Sequence, residues 1–151
     1  MTIEPLTVAD LEFAAQFGTD FYRETGMPGT FSPAHFVALW TVLVTNGSGV
    51  ILGWRHKNTL AGALAAMVAP DIYDGRPIAH EFFWYVRPEF RGQSAPVRLI
   101  RAYMEWAMHK GVAKRDIRIS CMEGARPDDL EALYARMGFV PLERHYQYGG
   151  T

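Results

Sequence analysis

The sequence predicts a mixed α/β or α+β fold, a central sheet flanked by helices, and three observations lead to it. Strand-like segments occur three in a row between residues 50 and 86, after which helical and strand-like segments alternate. Apolar residues make up 49% of the 151-residue chain, enough for a sizeable core in a single domain spanning residues 1–151. No internal repeat or linker breaks the pattern.

Residues 3–7 read as a short first strand, and Asp10 caps a helix carrying Leu11, Ala14, Ala15 and Phe17. Gly18 is expected to weaken the end of that helix. Residues 19–31 mix Gly26, Pro28 and Gly29 with Phe21, Tyr22 and Phe31, an irregular segment with aromatic anchors that serves as packed loop, as a lid or as one wall of a pocket. Ser32-Pro33 then joins a cap to a proline at the first helical position, where the missing N–H costs nothing. Phe36, Leu39, Trp40, Leu43 and Val44 follow at helical spacing as a core stripe, and Asn46-Gly47 closes the helix. His35, in the first turn, reads as a surface or packing histidine.

Residues 50–55 and 60–68 form two antiparallel strands joined through His56-Lys57-Asn58-Thr59. Ala61, Gly62, Ala63, Ala65 and Ala66 leave the second strand with few large side chains, so another element must approach it closely. A polar turn with Asp71, Tyr73, Asp74 and Arg76 leads into the aromatic strand Glu81-Phe82-Phe83-Trp84-Tyr85-Val86. Val97, Ile100, Met104, Ala107 and Met108 then line one face of a helix ending at Lys110-Gly111. Residues 117–122 are the next strand, with Ile117, Ile119 and Cys121 on one side. Pro127 and Asp128 open a helix containing Leu130, Leu133, Tyr134 and Met137, stopped by Gly138. Residues 139–148 are expected to form a closing strand or a bent pair.

Fifteen basic and sixteen acidic side chains leave a net charge of −1, which calls for neither nucleic acid nor an anionic membrane. The single cysteine, Cys121, excludes an internal disulfide, disfavours a thiolate metal site and points to a reducing compartment. No apolar run reaches the roughly 18 residues that span a bilayer, and the first residues lack the pattern of a secretion signal. The expectation is a cytoplasmic protein. Exposed aromatic residues leave room for a homodimer.

The chain is organised around residues 86–100, which read as the end of a strand, a tight turn and a helix start. Unpaired backbone N–H groups and the positive end of the helix dipole meet there, a setting that suits an anionic group, most often a phosphate. Arg91, Arg98 and Arg101 add full charges. The stretch reads as a diphosphate cradle, although an ordinary strand-to-helix turn with surface arginines fits the same residues.

Val86-x-Pro88 followed by Phe90-Arg91-Gly92 and a helix, and later Tyr134-Ala135-Arg136-Met137-Gly138-Phe139, occur in order with a strand between them. In these motifs the sequence resembles the GCN5-related N-acetyltransferase (GNAT) superfamily of acyl-CoA-dependent transferases. The resemblance implies a mostly antiparallel sheet, acetyl-CoA as co-substrate without a metal, and acetyl transfer to a primary amine of a small molecule or protein. It further implies that the main chain of Tyr85 and Val86 pairs with the pantetheine arm, while Arg91, Gly92, Gln93, Ser94, Ala95 and Arg98 surround the diphosphate. Two positions depart from the family pattern: Ser94 and Pro96 stand where glycine, or glycine and alanine, are usual. Pro96 has no N–H to offer, though the Ser94 hydroxyl and Arg98 restore some attraction. These departures keep open an acyl-CoA-binding sensor or interaction module without turnover. A P-loop or dinucleotide fold is disfavoured by the absence of its glycine-rich loop.

Acetyl transfer requires a neutral amine. A lysine-like amine with pKa near 10.4 is neutral about one time in 2,500 at pH 7, a penalty of roughly 4.6 kcal/mol. A base or a desolvating pocket must offset it, while holding donor and acceptor together supplies on the order of 7 to 11 kcal/mol. The resemblance places a base on the strand before the turn, where Glu81 and His80 both lie. Neighbours on a strand face opposite sides, so one of the two points at the pocket. Glu81 is favoured, because burial among Phe82, Phe83 and Trp84 would raise its pKa into a useful range, the alternative being a plain ion pair with an arginine. Tyr134 matches the family residue that protonates or hydrogen-bonds the leaving thiolate, with core packing as its other reading. Tyr22, His35, Asp71, Tyr73, Asp74 and Tyr146 are candidates for contacting the acceptor.

Overall fold

The computed structural model describes residues 2–92, 94–122 and 127–149, in two compact units, Met1–Ser120 and Cys121–Thr151. In the first unit, strands β1 (Thr2–Pro5), β2 (Gly49–His56), β3 (Thr59–Pro70), β4 (Pro77–Val86) and β5 (Ile117–Arg118) form one sheet in sequence order. The first three pairings are antiparallel, and β5 joins β4 in parallel. A parallel neighbour needs a crossover, which helix α3 (Ala95–His109) provides. Helices α1 (Leu11–Thr25) and α2 (Pro33–Thr45) connect β1 to β2. The arrangement is the mixed, mostly antiparallel sheet with flanking helices that the sequence predicts.

Local chemistry accounts for most of the boundaries. The β2–β3 hairpin turns at Lys57-Asn58, with Lys57 at φ 54°, the left-handed conformation a two-residue hairpin turn demands. Ser32 caps α2 by accepting the His35 N–H at 3.2 Å, and Pro33 follows it in the first turn. The entry to α1 is held by Asp10, whose carboxylate accepts the Thr7 N–H at 2.9 Å and an Arg55 N–H at 2.8 Å.

The end of α1 corrects the sequence reading. Gly18 does not weaken the helix to a stop; α1 runs on to Thr25 and closes at Gly26, whose φ of 66° suits glycine. A mid-helix glycine costs about 1 kcal/mol against alanine, but here it seats the ring of Phe31: a Cβ at Gly18 would lie 2.2 Å from Phe31 Cζ. The irregular segment therefore begins at residue 26 rather than 19.

One core lies under α1 and α2. It gathers Leu11, Phe17, Phe36, Trp40, Ile51, Phe83 and Tyr85, with Ala63 and Ala65 of β3; burying each large side chain contributes about 1.5 to 3 kcal/mol. Leu39 departs from the expected stripe and is 45% exposed, on the flank of α2. On the opposite face of the sheet the small residues of β3 admit α3, and a Cβ on Gly62 would stand 3.3 Å from Leu99 Cδ1.

The expected strand over residues 117–122 shrinks to Ile117–Arg118. In the second unit, α4 (Pro127–Arg136) ends at Gly138, φ 91°, where the Phe139 N–H donates to the Tyr134 carbonyl at 3.0 Å. Tyr134 is buried, its ring 6.0 Å from that of Phe139. The closing strand expected over residues 139–148 is not formed; among the described residues of this unit no second strand exists to pair with it. Among the described residues no helix is long and apolar enough to cross a membrane.

Candidate active site

β4 and β5 pair only at Ala79–Ile117 and His80–Arg118 before they part. At this fork a side chain replaces the ladder: Glu81 Oε2 accepts the Ser120 backbone N–H at 3.2 Å and the Ser120 hydroxyl at 2.8 Å. The N–H that would have continued β5 is thus spent on a carboxylate, which is why the strand is short.

A β-bulge decides which face Glu81 occupies. Ala65 stands opposite Phe83 and Ala66 opposite Glu81, so Phe82 is an extra residue in β4. With unbroken alternation Glu81 would share a face with Phe83 and Tyr85, over α1 and α2. The bulge turns it to the face that α3 covers. There its charge acts on the Tyr103 hydroxyl, which donates to the Arg118 carbonyl at 2.7 Å and whose pKa is raised by burial first and by Glu81 second. His80 pairs with Met67 and so lies on the face away from Glu81. The displaced Phe82 ring is 53% exposed and meets Trp40 edge-on at 6.2 Å.

Burial raises the Glu81 pKa to about 7, while the two hydrogen bonds from Ser120 act in the opposite direction and only moderate the shift. Among the described residues no arginine contributes to its shift in the way an ordinary ion pair would. Near neutral pH it therefore exchanges a proton readily, the property required of a general base.

The turn after β4 is built from the short helical turn Pro88–Phe90 and from Gly92 at φ 82°, with open space where a Cβ would project. Phe90 anchors it, its ring 5.6 Å from Trp54 and 5.2 Å from His56. Ser94 then precedes α3, and Pro96 lies in the first helical turn. Helix geometry leaves the N–H groups of Ala95 and Val97 without intrahelical acceptors, a setting suited to an anionic group, with no donor at Pro96. Gln93 lies outside the described residues.

Arg91 behaves differently from the sequence expectation. Its side chain turns back along β4: Nε donates to the Val86 carbonyl at 2.8 Å, Nη2 donates to Glu24 Oε2 at 2.6 Å, and the guanidinium stands 5.4 Å from the Tyr85 ring centroid. Tyr85 completes the group by donating its hydroxyl to Glu24 Oε1 at 2.7 Å, and burial together with that carboxylate pushes its pKa up to about 12. Partial burial opposes the charge of Glu24, but the hydrogen bonds from Tyr85 and Arg91 prevail and its pKa is lowered.

Several acceptor candidates have other occupations. Asp74 and Asp71 surround Arg76, at 2.7 and 3.7 Å, and Arg76 reaches the buried Asp116 at 3.1 Å, so these carboxylates staple the β3–β4 turn. Tyr22 packs on Phe31 with centroids 5.4 Å apart, His35 is exposed, and Tyr73 and Tyr146 extend to solvent. An open hollow of about 420 Å³ between α1 and α2, lined by Glu12, Ala15, Pro33, Ala34, Val37 and Ala38, includes none of the candidates. Among the described residues no cluster of three or more His, Cys, Asp or Glu is arranged to hold a metal.

Sequence reasoning missed Ser120, Tyr103 and Glu24. For Glu24 a signal existed: Phe17, Phe21 and Glu24 keep helical spacing straight through Gly18. Ser120 and Glu81 are 39 residues apart and carry no local signature.

Comparison with known proteins bears on the whole arrangement. No curated protein matches the chain. Among solved structures, a predicted acetyltransferase from Clostridium acetobutylicum, solved with acetyl-CoA, superposes with a TM-score of 0.79 at 12% identity, covering 98% of this chain and 95% of that one. An aminoglycoside 6'-N-acetyltransferase from Acinetobacter haemolyticus gives 0.75 at 16% identity, covering 100% and 99%. A ribosomal-protein-alanine N-acetyltransferase from Brucella melitensis gives 0.71 at 18% identity, covering 98% and 99%. At such identities the likeness establishes the fold. The sequence model of the Acetyltransferase (GNAT) family matches residues 14–139, and on that match, with the fold in agreement, the chain belongs to the GNAT family of N-acetyltransferases.

Proposed function

We propose that the protein transfers an acetyl group from acetyl-CoA to a primary amine of a small molecule or protein, with Glu81 as general base. The observation that carries this reading is a buried carboxylate at the β4–β5 fork, hydrogen-bonded by Ser120, with a pKa of about 7. Glu81 takes the proton the amine must lose, directly or through water, as the nitrogen bonds the acetyl carbon. Acetyl-CoA supplies the activated acetyl group. The amides of Gly92, Ser94, Ala95 and Val97, with Arg98, hold its diphosphate, and the main chain of Tyr85 and Val86 runs beside its pantetheine arm. Gln93 keeps its assignment from the motif. Tyr134 gives a hydrogen bond or proton to the departing sulfur, a role that rests on its place in the Tyr134–Phe139 motif.

The solved relatives are named for acceptors as different as an aminoglycoside and a ribosomal-protein alanine, both amines. The test is thiol release from acetyl-CoA against a panel containing aminoglycosides, small aliphatic amines and peptides with N-terminal alanine. At least one class is expected to accelerate release over solvent hydrolysis. Acetyl-CoA at a hundredfold over its dissociation constant is expected to add about 2.7 kcal/mol to stability. Absence of any melting shift with acetyl-CoA or free coenzyme A removes the reading.

A further inference from the structure

Resting on the acetyl-CoA reading, we propose that Glu24 is a positioning residue: from the last turn of α1 it clamps Arg91 and Tyr85 and thereby presets the turn that grips the diphosphate. Each oxygen of its carboxylate has its own donor, Tyr85 Oη on Oε1 at 2.7 Å and Arg91 Nη2 on Oε2 at 2.6 Å. Arg91 extends the hold to the main chain through its Nε–H to Val86 O at 2.8 Å, which closes the loop from the end of β4 to the residue before Gly92. The three side chains come from α1, β4 and the turn, and Tyr85 and Arg91 are 61 and 67 residues from Glu24 in sequence.

The arrangement changes what Arg91 does. A guanidinium already paired with a carboxylate and stacked at 5.4 Å from an aromatic ring has little charge left for a ligand. Its contribution is to immobilise the turn, so that the amides beyond it need not be ordered at the moment of binding. Preorganisation of this kind raises affinity without any new ligand contact.

The experiment measures the dissociation constant of coenzyme A, and separately of pantetheine, which lacks the diphosphate, for the wild type, Glu24→Gln, Arg91→Gln and the double variant. Amide hydrogen exchange of the turn is followed in parallel without ligand. Expected are about tenfold weaker coenzyme A binding in each single variant, little further loss in the double variant, unchanged pantetheine binding and faster exchange in the turn. In turnover, KM for acetyl-CoA rises more than kcat falls in Glu24→Gln. If the wild type binds coenzyme A but Glu24→Gln binds it as tightly, or the two losses simply add, the clamp is refuted and the acetyl-CoA reading stands. If the wild type binds neither compound, the acetyl-CoA reading falls and the clamp with it.

Discussion

Two glutamates, Glu24 at the end of α1 and Glu81 within β4, illustrate opposite uses of a carboxylate. Glu24 and Glu81 both lose part of their hydration, and in both burial alone raises the pKa. Glu24 meets a guanidinium and a phenol and stays charged. Glu81 meets a serine hydroxyl and one amide, and its pKa climbs to about 7. Burial and partner chemistry act together: Glu81 is the more deeply buried of the two and its Ser120 donors are neutral, whereas Glu24 is less buried and meets a cation, so one carboxylate serves as a proton acceptor and the other as a fixed anion. One glutamate is therefore suited to holding structure and the other to moving a proton.

The sharpest way to break this contrast is Glu81→Gln. Loss of a general base is expected to lower kcat/KM by about 10² to 10³ at neutral pH, and the alkaline rise of the wild-type rate, with a midpoint near pH 7, disappears from the profile. A profile that keeps that midpoint in the variant assigns the base elsewhere.

The same substitution has a stability consequence of opposite sign. A glutamate whose folded pKa is raised from the ordinary 4.5 to about 7 gives stability that is intact below pH 4.5 and is lost as pH rises through 7. Glutamine, neutral throughout, escapes that loss. Glu81→Gln is expected to be more stable than the wild type at pH 8, by roughly 3 kcal/mol, and nearly equal to it at pH 4.5, as urea unfolding at the two pH values will report.

At Glu24 the linkage runs the other way. Its lowered pKa gives stability present above pH 4.5 and lost as pH falls through the depressed value. The side chain is 36% exposed, so solvent screening limits the effect to about 1 kcal/mol or less. Acid titration of thermal stability is expected to be shallower in Glu24→Gln than in the wild type. Ser120→Ala gives the smallest change: with one donor to the charged form removed, the midpoint of the pH–rate profile moves upward by roughly half a unit. A downward movement would mean that Ser120 does not stabilise the anion.

Much of the frame was legible before any coordinates. Ser32-Pro33, the Lys57-Asn58 hairpin and the glycine turn at Gly92 are punctuated by residues whose own backbone or capping chemistry sets the local shape. The motif around Arg91 and Gly92 marked the turn after β4, and Glu81 was singled out on the strand before it. What misled the reading was each place where a distant residue overrode local preference. Gly18 read as a helix end because glycine is a poor helix former, and it stays helical because Phe31 needs the space. Arg91 read as a charge for a ligand, and Glu24 claims that charge from α1.

The order of strands and helices, the site of the turn and the chemical candidates followed from the sequence by itself, because periodicity, capping and backbone permissiveness act over a few residues. The face Glu81 occupies, the identity of its partner Ser120 and the redirection of Arg91 were decided only in the tertiary structure. One extra residue in β4 inverts the alternation of side chains, and hydrogen bonds spanning 39 to 67 residues assign the charges. Neither effect is written in any short stretch of the chain.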